Sequence, residues 1–297
     1  MRIKAVDLNL NYETYGEEGD WLVMCHGLGA GLRSMRAAAE KLADKYRVLI
    51  WDNRGIGESD TAPPGGDYSI KTHARDLANL MDALGIERGL VHGVSWGGVL
   101  GLRFVIDYPD KVRAFICDSS SAEVNERAAQ NWIARGEIYV KEGPAGIRTA
   151  PGGVNDGTRA APASAAGAAP ARPEAEPALS DSPELAEGEG RQGGGAAAPG
   201  GGGAGPQADP HAYLETCKAV ASLYEHPMND ELPKIKAPTL AIVGENDQTA
   251  GVGGTVKISR AIPDCKLVIV PSTGHGVYSQ NFDVFRREIE ALAARAS

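Results

Sequence analysis

The chain lacks the usual marks of a metal, redox or disulfide-stapled protein. Its four cysteines, Cys25, Cys117, Cys217 and Cys265, are scattered through 297 residues with no C-x-x-C pair and no metal-ligand spacing. Buried free thiols in a reducing cytoplasm are expected, with no cofactor and no metal. Positive charge is also short: 30 Lys and Arg face 39 Asp and Glu, and the formal net charge of −9 repels nucleic acid and anionic membranes. No apolar run approaches the length of a bilayer span. Met1-Arg2-Ile3-Lys4 leads straight into alternating sequence, without the apolar core of a signal peptide. These absences predict a cytoplasmic protein with no nucleic-acid and no membrane partner, taken here as a monomer or homodimer.

One stretch lacks nearly everything a core needs. Residues 151–210 hold no Phe, Trp or Tyr, and only Val154, Leu179 and Leu185 as large aliphatics; most of the rest is Ala, Gly and Pro. Such a segment cannot bury enough apolar surface to offset its ordering entropy, so disorder is predicted. Its eight acidic and three basic residues carry −5 of the −9. A natural insertion and a reading-frame shift in a GC-rich gene both produce this composition, and the coding DNA read in its other frames distinguishes them.

Elsewhere strands and helices alternate. Residues 2–14 alternate apolar and polar, as a half-buried antiparallel edge hairpin does. Short apolar runs follow at Trp21–Cys25, Arg47–Trp51, Gly89–Val94, Ala114–Cys117, Thr239–Val243 and Lys266–Val270, each suited to a parallel strand buried on both faces. Ile70–Leu84 lines up Leu77, Leu80, Met81 and Leu84 on one stripe, and Asn281–Ala294 does so with Phe285, Ile289 and Leu292. Strands alternating with helices predict a parallel sheet covered on both sides. After Cys117 the order breaks: 121–141 and 211–224 read as helices with no strand between them. Placed between the sixth and seventh strands of the sheet, they predict a small cap over its C-terminal edge, where open α/β sheets bind ligands. The expected division is a core of 1–120 and 233–297, cap fragments at 121–150 and 211–232, and the disordered insertion 151–210.

The strongest chemical signal is Gly93-Val94-Ser95-Trp96-Gly97-Gly98. It matches G-x-S-x-G directly after an apolar run and at the start of a helical stretch, the context in which a strained turn lifts a serine out as a nucleophile. A serine hydroxyl needs a base, and the base an orienting acid. His275 is the one histidine downstream in a suitable loop, Pro271-Ser272-Thr273-Gly274-His275-Gly276. Asp247, just past the run Thr239–Val243, is the candidate acid, with Asp118 as rival and Glu245 as a weaker one. An oxyanion needs two backbone donors: the N–H of Trp96, and one from the loop His26-Gly27-Leu28-Gly29, for which Leu28 is preferred. His26 and His92 read as structural. Asp52-Asn53-Arg54-Gly55-Ile56-Gly57 reads as a tight turn pinned by Asp52 and Arg54 rather than a phosphate loop, because no Lys-Ser or Lys-Thr follows the glycines.

In that order, HGLG, WDNRGIGESD, GVSWGG, GENDQ and STGHG resemble the α/β-hydrolase superfamily. Within it, ERAAQNWIARGEIYVKEG and DPHAYLETCKAVASL are most similar to the 3-oxoadipate enol-lactonase and carboxylesterase group. The resemblance implies the α/β-hydrolase fold, a mostly parallel central sheet with helices on both faces, here with a reduced helical cap after the sixth strand. It also implies Ser95, Asp247 and His275 as nucleophile, acid and base, and hydrolysis of a carboxylic ester or lactone, enol-lactones included. GVSWGG is similar as well to intracellular polyhydroxyalkanoate depolymerases, and C–C bond hydrolases share the triad. From another class, a non-catalytic binding protein on the same scaffold would bind without turnover; p-nitrophenyl acetate separates it from an enzyme. A histidine base predicts activity that rises with pH through neutrality.

Overall fold

In a computed structural model the described residues are 1–63, 65–147 and 208–296. The predicted disorder of the 151–210 insertion lies outside them, except at its last three residues. There the boundary shifts: Ala208 bridges to Ile56, Asp209 caps the following helix by accepting from the Ala212 N–H at 2.9 Å, and Pro210 is the first helical residue. A proline is at home there, since the first N–H of a helix has no partner to lose.

The elements run β1 Arg2–Ala5, β2 Leu8–Tyr15, β3 Trp21–Cys25, α1 Arg36–Leu42, β4 Arg47–Trp51, α2 Ile70–Ala83, β5 Gly89–Val94, α3 Trp96–Asp107 and β6 Val112–Asp118. They continue with α4 Glu126–Gly146, α5 Pro210–Ala221, β7 Thr239–Gly244, α6 Val252–Ala261, β8 Cys265–Val270, α7 Val277–Gln280 and α8 Phe282–Arg295. The strands form one sheet in the order β1-β2-β4-β3-β5-β6-β7-β8. β1 and β2 are the antiparallel hairpin expected at one edge, and every pairing from β4 to β8 is parallel.

Side chains of successive strand residues point to opposite faces, so each central strand feeds two apolar layers. Val23, Leu49, Val91, Phe115 and Cys117 pack with Leu77, Val99 and Ile258 of α2, α3 and α6. Leu22, Met24, Ile50, Leu90 and Ile116 pack on the other face with Leu42 of α1 and Phe285, Ile289 and Leu292 of α8. β8 departs from the expected burial on both faces, with Ile269 43% exposed. It closes the sheet as an edge strand.

The turn after β4 is pinned as expected by Asp52, whose carboxylate accepts from the Leu32 N–H (2.6 Å), Asn11 Nδ2 (2.7 Å) and the Glu58 N–H (3.2 Å). Arg54 works differently: its guanidinium forks onto Asp76 at 2.6 Å twice, tying the turn to α2. Both groups are almost wholly buried.

Between β6 and β7, α4 and α5 pack on one another. α4 starts five residues later than expected, at the point where the Asn125 side chain accepts from the Ala128 N–H, and it breaks at Gly143 (φ +67°) and Pro144. A Cβ on Gly136 would lie 2.7 Å from Leu214 Cδ1, a measure of how closely the two helices approach.

Candidate active site

The parallel register aligns the ends of the central strands: Cys25 pairs with Gly93, Val94 with Asp118, and Asp118 with Ile242. The loops leaving β3, β5, β6 and β7 therefore rise from one edge, and distant residues meet there.

Ser95 follows β5 and holds φ +55°, ψ −118°, a backbone conformation that a side-chain-bearing residue keeps only when its surroundings over-determine it. Its N–H donates to the Asp118 carbonyl (2.9 Å), and its own carbonyl accepts from the Gly98 N–H (2.9 Å), the Val99 N–H (3.1 Å) and Ser120 Oγ (2.9 Å). The flanking glycines are steric requirements. A Cβ on Gly97 would sit 2.1 Å from the Cys25 carbonyl oxygen, and one on Gly93 would sit 2.1 Å from that of Gly97. Ser95 is thus pushed outward at the N-terminus of α3, where the helix dipole favours negative charge.

His275 lies in the loop after β8. Its Nδ1 is 2.9 Å from Asp247 Oδ2 and 3.1 Å from Oδ1. Asp247 Oδ1 also accepts from the N–H groups of Thr249 (2.9 Å) and Ala250 (3.0 Å). Burial pushes the Asp247 carboxyl up, but the hydrogen bond and charge of His275, together with those two amides, outweigh it and leave the group below its ordinary value. The side chain is an ionised acceptor facing an imidazole.

The rival acid has another task. Asp118 accepts from the N–H groups of Val277 and Tyr278, each at 3.0 Å, and from Ser119 Oγ at 2.9 Å. Ser119 Oγ accepts in turn from the Gly276 N–H at 3.0 Å. The end of β6 thereby clamps the three residues after His275. Gln280 Nε2 donates to the His275 carbonyl at 2.8 Å from the other side. Glu245 is occupied by the Ser272 N–H.

The loop after β3 runs beside the serine: a Cβ built on Gly27 would lie 3.8 Å from that of Ser95. His26 holds this loop, as expected, with Nδ1 2.7 Å from the Gly27 carbonyl and Nε2 accepting from the Asn53 N–H at 3.2 Å. The Trp96 amide opens α3 and so has no intrahelical partner. Its indole turns into the core, edge-on to His73 with ring centroids 5.0 Å apart. Burial first, and then the charge of Arg54, pushes the His73 imidazole down to about 3, so the ring is neutral. His92 is in the core as expected, edge-on to Phe285.

Leu28, Ser95, Trp132, Arg135, His275 and Tyr278 are among the residues lining one cavity of about 190 Å³. Ser95, His275 and Leu28 thus share one space, smaller than the usual range of ligand pockets. Arg135 was not among the residues singled out from the sequence. A signal was there: Trp132, Arg135 and Tyr139 fall on one helix face, and an arginine within an aromatic stripe is out of place in a packing surface. Among the described residues, no group of three or more His, Cys, Asp or Glu side chains is arranged to hold a metal, and no helix is long and apolar enough to cross a membrane.

Comparison with known proteins agrees with this fold. Residues 20–140 match the family described as alpha/beta hydrolase fold, and residues 206–291 match the one described as TAP-like protein. Over 294 residues, 99% of this chain and 96% of the other, the sequence is 26% identical to 3-oxoadipate enol-lactonase 2 of Acinetobacter baylyi. The enol-lactonase structure from Burkholderia xenovorans superposes with a TM-score of 0.73 at 19% identity, over 99% of this chain and all of that one. A thermophilic esterase from Thermogutta terrifontis gives 0.72 at 20% identity, over 100% and 99%. The chain is an α/β hydrolase in fold, and a hydrolytic enzyme.

Proposed function

We propose that this hydrolase cleaves a small carboxylic ester or lactone by acyl transfer through Ser95, His275 and Asp247. The observation that carries the proposal is the hydrogen-bonded His275–Asp247 couple lining, through His275, the same cavity as a serine held at positive φ. Ser95 Oγ attacks the carbonyl while His275 Nε2 takes its proton, and Asp247 fixes the imidazole tautomer and stabilises the imidazolium. The N–H groups of Leu28 and Trp96 hold the tetrahedral oxyanion, each donor contributing about 3 kcal/mol to the transition state. His275 then protonates the leaving oxygen, and a water releases the acid. In a lactone, leaving group and acyl part stay joined in the product.

A serine at the elbow, in place of the carboxylate an alkyl-enzyme ester requires, supports acyl rather than alkyl transfer. The similarity to an enol-lactonase over nearly the whole chain favours lactones within that class. We read α4 and α5 as the cap, since Trp132 and Arg135 of α4 line the cavity. We also infer a cytoplasmic enzyme, monomeric or homodimeric; the free thiols Cys25, Cys117, Cys217 and Cys265 support the reducing compartment.

The test is a screen of p-nitrophenyl esters, lactones and enol-lactones with wild type and Ser95→Ala. Turnover of at least one class should fall by roughly four orders of magnitude or more in the variant. Equal turnover in both would remove Ser95 as nucleophile.

A further inference from the structure

The two edges of the sheet are built differently. β1 is short and exposes Arg2 and Lys4, and charge of that kind keeps another strand from adding to an edge. β8 is longer, and its one charged side chain, Lys266, is neutralised within the chain by Glu288 of α8. Ile269 stands exposed on it, and Cys265, Leu267 and Val268 are half-buried.

The backbone groups that this edge leaves open follow from its hydrogen bonds. The Asp264 and Val270 carbonyls accept from the Thr239 and Glu245 N–H groups, at 2.8 and 2.9 Å, so both point at β7. In a strand the N–H and C=O of one residue point the same way, and those of the next residue the other way. Residues 264, 266, 268 and 270 therefore face β7, while Cys265, Leu267 and Ile269 turn three N–H and three C=O groups outward. No described residue is hydrogen-bonded to these six groups. Where the outward pattern would continue, at Pro263 and Pro271, there is no N–H to give. The open run is thus symmetric about Leu267.

A strand with this symmetry is its own complement, which a foreign strand would not require. Turned about a two-fold axis at Leu267, a second β8 runs antiparallel. Cys265 then lies opposite Ile269 of the other copy, Leu267 lies opposite Leu267, and six N–H···O=C bonds form. A shift of two residues either way sets a proline opposite Cys265 or Ile269 and leaves two carbonyls without a donor. Side chains opposite one another share a face, so the pairing covers each Ile269 with the other copy's Cys265 and Leu267. Lys266 falls opposite Val268, and no like charges are set directly across. Six strand residues a side fall short of the roughly 20–30 of a standard interface, which makes the association weak and concentration-dependent.

We propose that two copies of this chain pair β8 to β8 about Leu267, joining their two eight-stranded sheets into one. The proposal does not depend on the chemistry at Ser95.

The experiment is sedimentation velocity from about 1 to about 300 μM, the range in which a weak dimer forms. Wild type should pass from monomer to dimer. Ile269→Lys, which adds an edge lysine of the kind β1 carries, should weaken the association at least tenfold. Val6→Lys, at the exposed turn between β1 and β2, is the control and should change nothing. The register is read separately. Bonded antiparallel partners have Cα atoms about 5.5 Å apart, within reach of a disulfide. Ile269→Cys oxidised with copper phenanthroline should therefore form a covalent dimer through Cys265 of the other copy, and Cys265→Ser added to it should abolish that dimer. A protein that is monomeric at every concentration overturns the proposal, as does a dimer indifferent to Ile269→Lys. A covalent dimer that persists without Cys265 overturns the pairing about Leu267. If Ile269→Lys fails to fold by circular dichroism, the disulfide decides, and its absence overturns the proposal.

Discussion

Asp247→Asn is the sharpest perturbation of the proposed mechanism, because the surroundings dictate how the new side chain must sit. In the wild type Asp247 Oδ1 accepts from the amides of Thr249 and Ala250, while Oδ2 is the oxygen nearest His275 Nδ1, at 2.9 Å. An asparagine carries one acceptor and one donor. Turning its NH2 toward the two loop amides would set donors against donors and leave two N–H groups unpaired in a buried site, each at about 1–3 kcal/mol. The carbonyl must therefore keep the loop side, and the NH2 must face His275 Nδ1. Nδ1 then has to accept, which puts the ring proton on Nε2, the nitrogen that should receive the proton of Ser95. The base is blocked by its tautomer while the fold is kept. The expected loss in kcat at pH 7 is about 10⁴-fold, as the same change produces in serine proteases. At ~1.4 kcal/mol per tenfold this corresponds to ~5 kcal/mol of transition-state stabilisation. The assay is steady-state hydrolysis of the best ester from the screen, alongside circular dichroism melting. A variant that melts near wild type and retains kcat within tenfold would refute the assignment of Asp247 as the orienting acid.

Asp118→Asn is the control: a buried amide N–H of Val277 or Tyr278 loses its acceptor, so stability should drop by about 1–3 kcal/mol in urea unfolding. Its kcat should suffer far less than that of Asp247→Asn, and the reverse order would make Asp118 the acid. Gly97→Ala forces a methyl to 2.1 Å from the Cys25 carbonyl oxygen, and urea midpoints should show a loss of about 3 kcal/mol with little activity left. A Gly97→Ala protein as stable and active as wild type would contradict the elbow packing. His73 gives a pH signature: the unfolded ring takes up a proton near 6.5 and the native ring only at about 3, so the unfolded chain binds more protons between them. The buried neutral ring costs nothing above about pH 6.5 and lowers stability by up to about 1.4 kcal/mol per pH unit as the pH drops through that window. Urea midpoints at pH 7, 5 and 4 should show the decline, and His73→Leu should flatten it; an equal slope in both would place the acid sensitivity elsewhere.

Much of this molecule was legible in one dimension because its signals are local. A short branched run closed by Gly or Asp makes a strand by its own sterics and burial, which is why Trp21–Cys25 and Gly89–Val94 are found where they were expected. Gly93 and Gly97 around Ser95 announce a turn too tight for side chains, and the structure supplies the reason in two carbonyl oxygens at 2.1 Å. Periodicity likewise marked the buried stripes of α2 and α8. What local sequence could not say was what lies across the gap. Pattern alone left Asp118 and Asp247 as competitors. Only the fold put one carboxylate on the His275 ring and the other on the backbone just after it. The same holds for β8, whose apolar run does not reveal that it has a neighbour on one side only.

Arg135 is the clearest case. Its charge and its helix are evident in the residues 126–146, but whether a buried guanidinium meets a carboxylate, as Arg54 meets Asp76 and Arg103 meets Glu231, depends on chain 22 or 128 residues away. The sequence by itself determined the elements, the elbow and the chemical types at the site, since these follow from neighbours within a few residues. The tertiary structure decided which acid lies against which ring and which buried guanidinium has a carboxylate partner among the described residues, because Coulomb and hydrogen-bond energies are set by distance in space and not by separation along the chain.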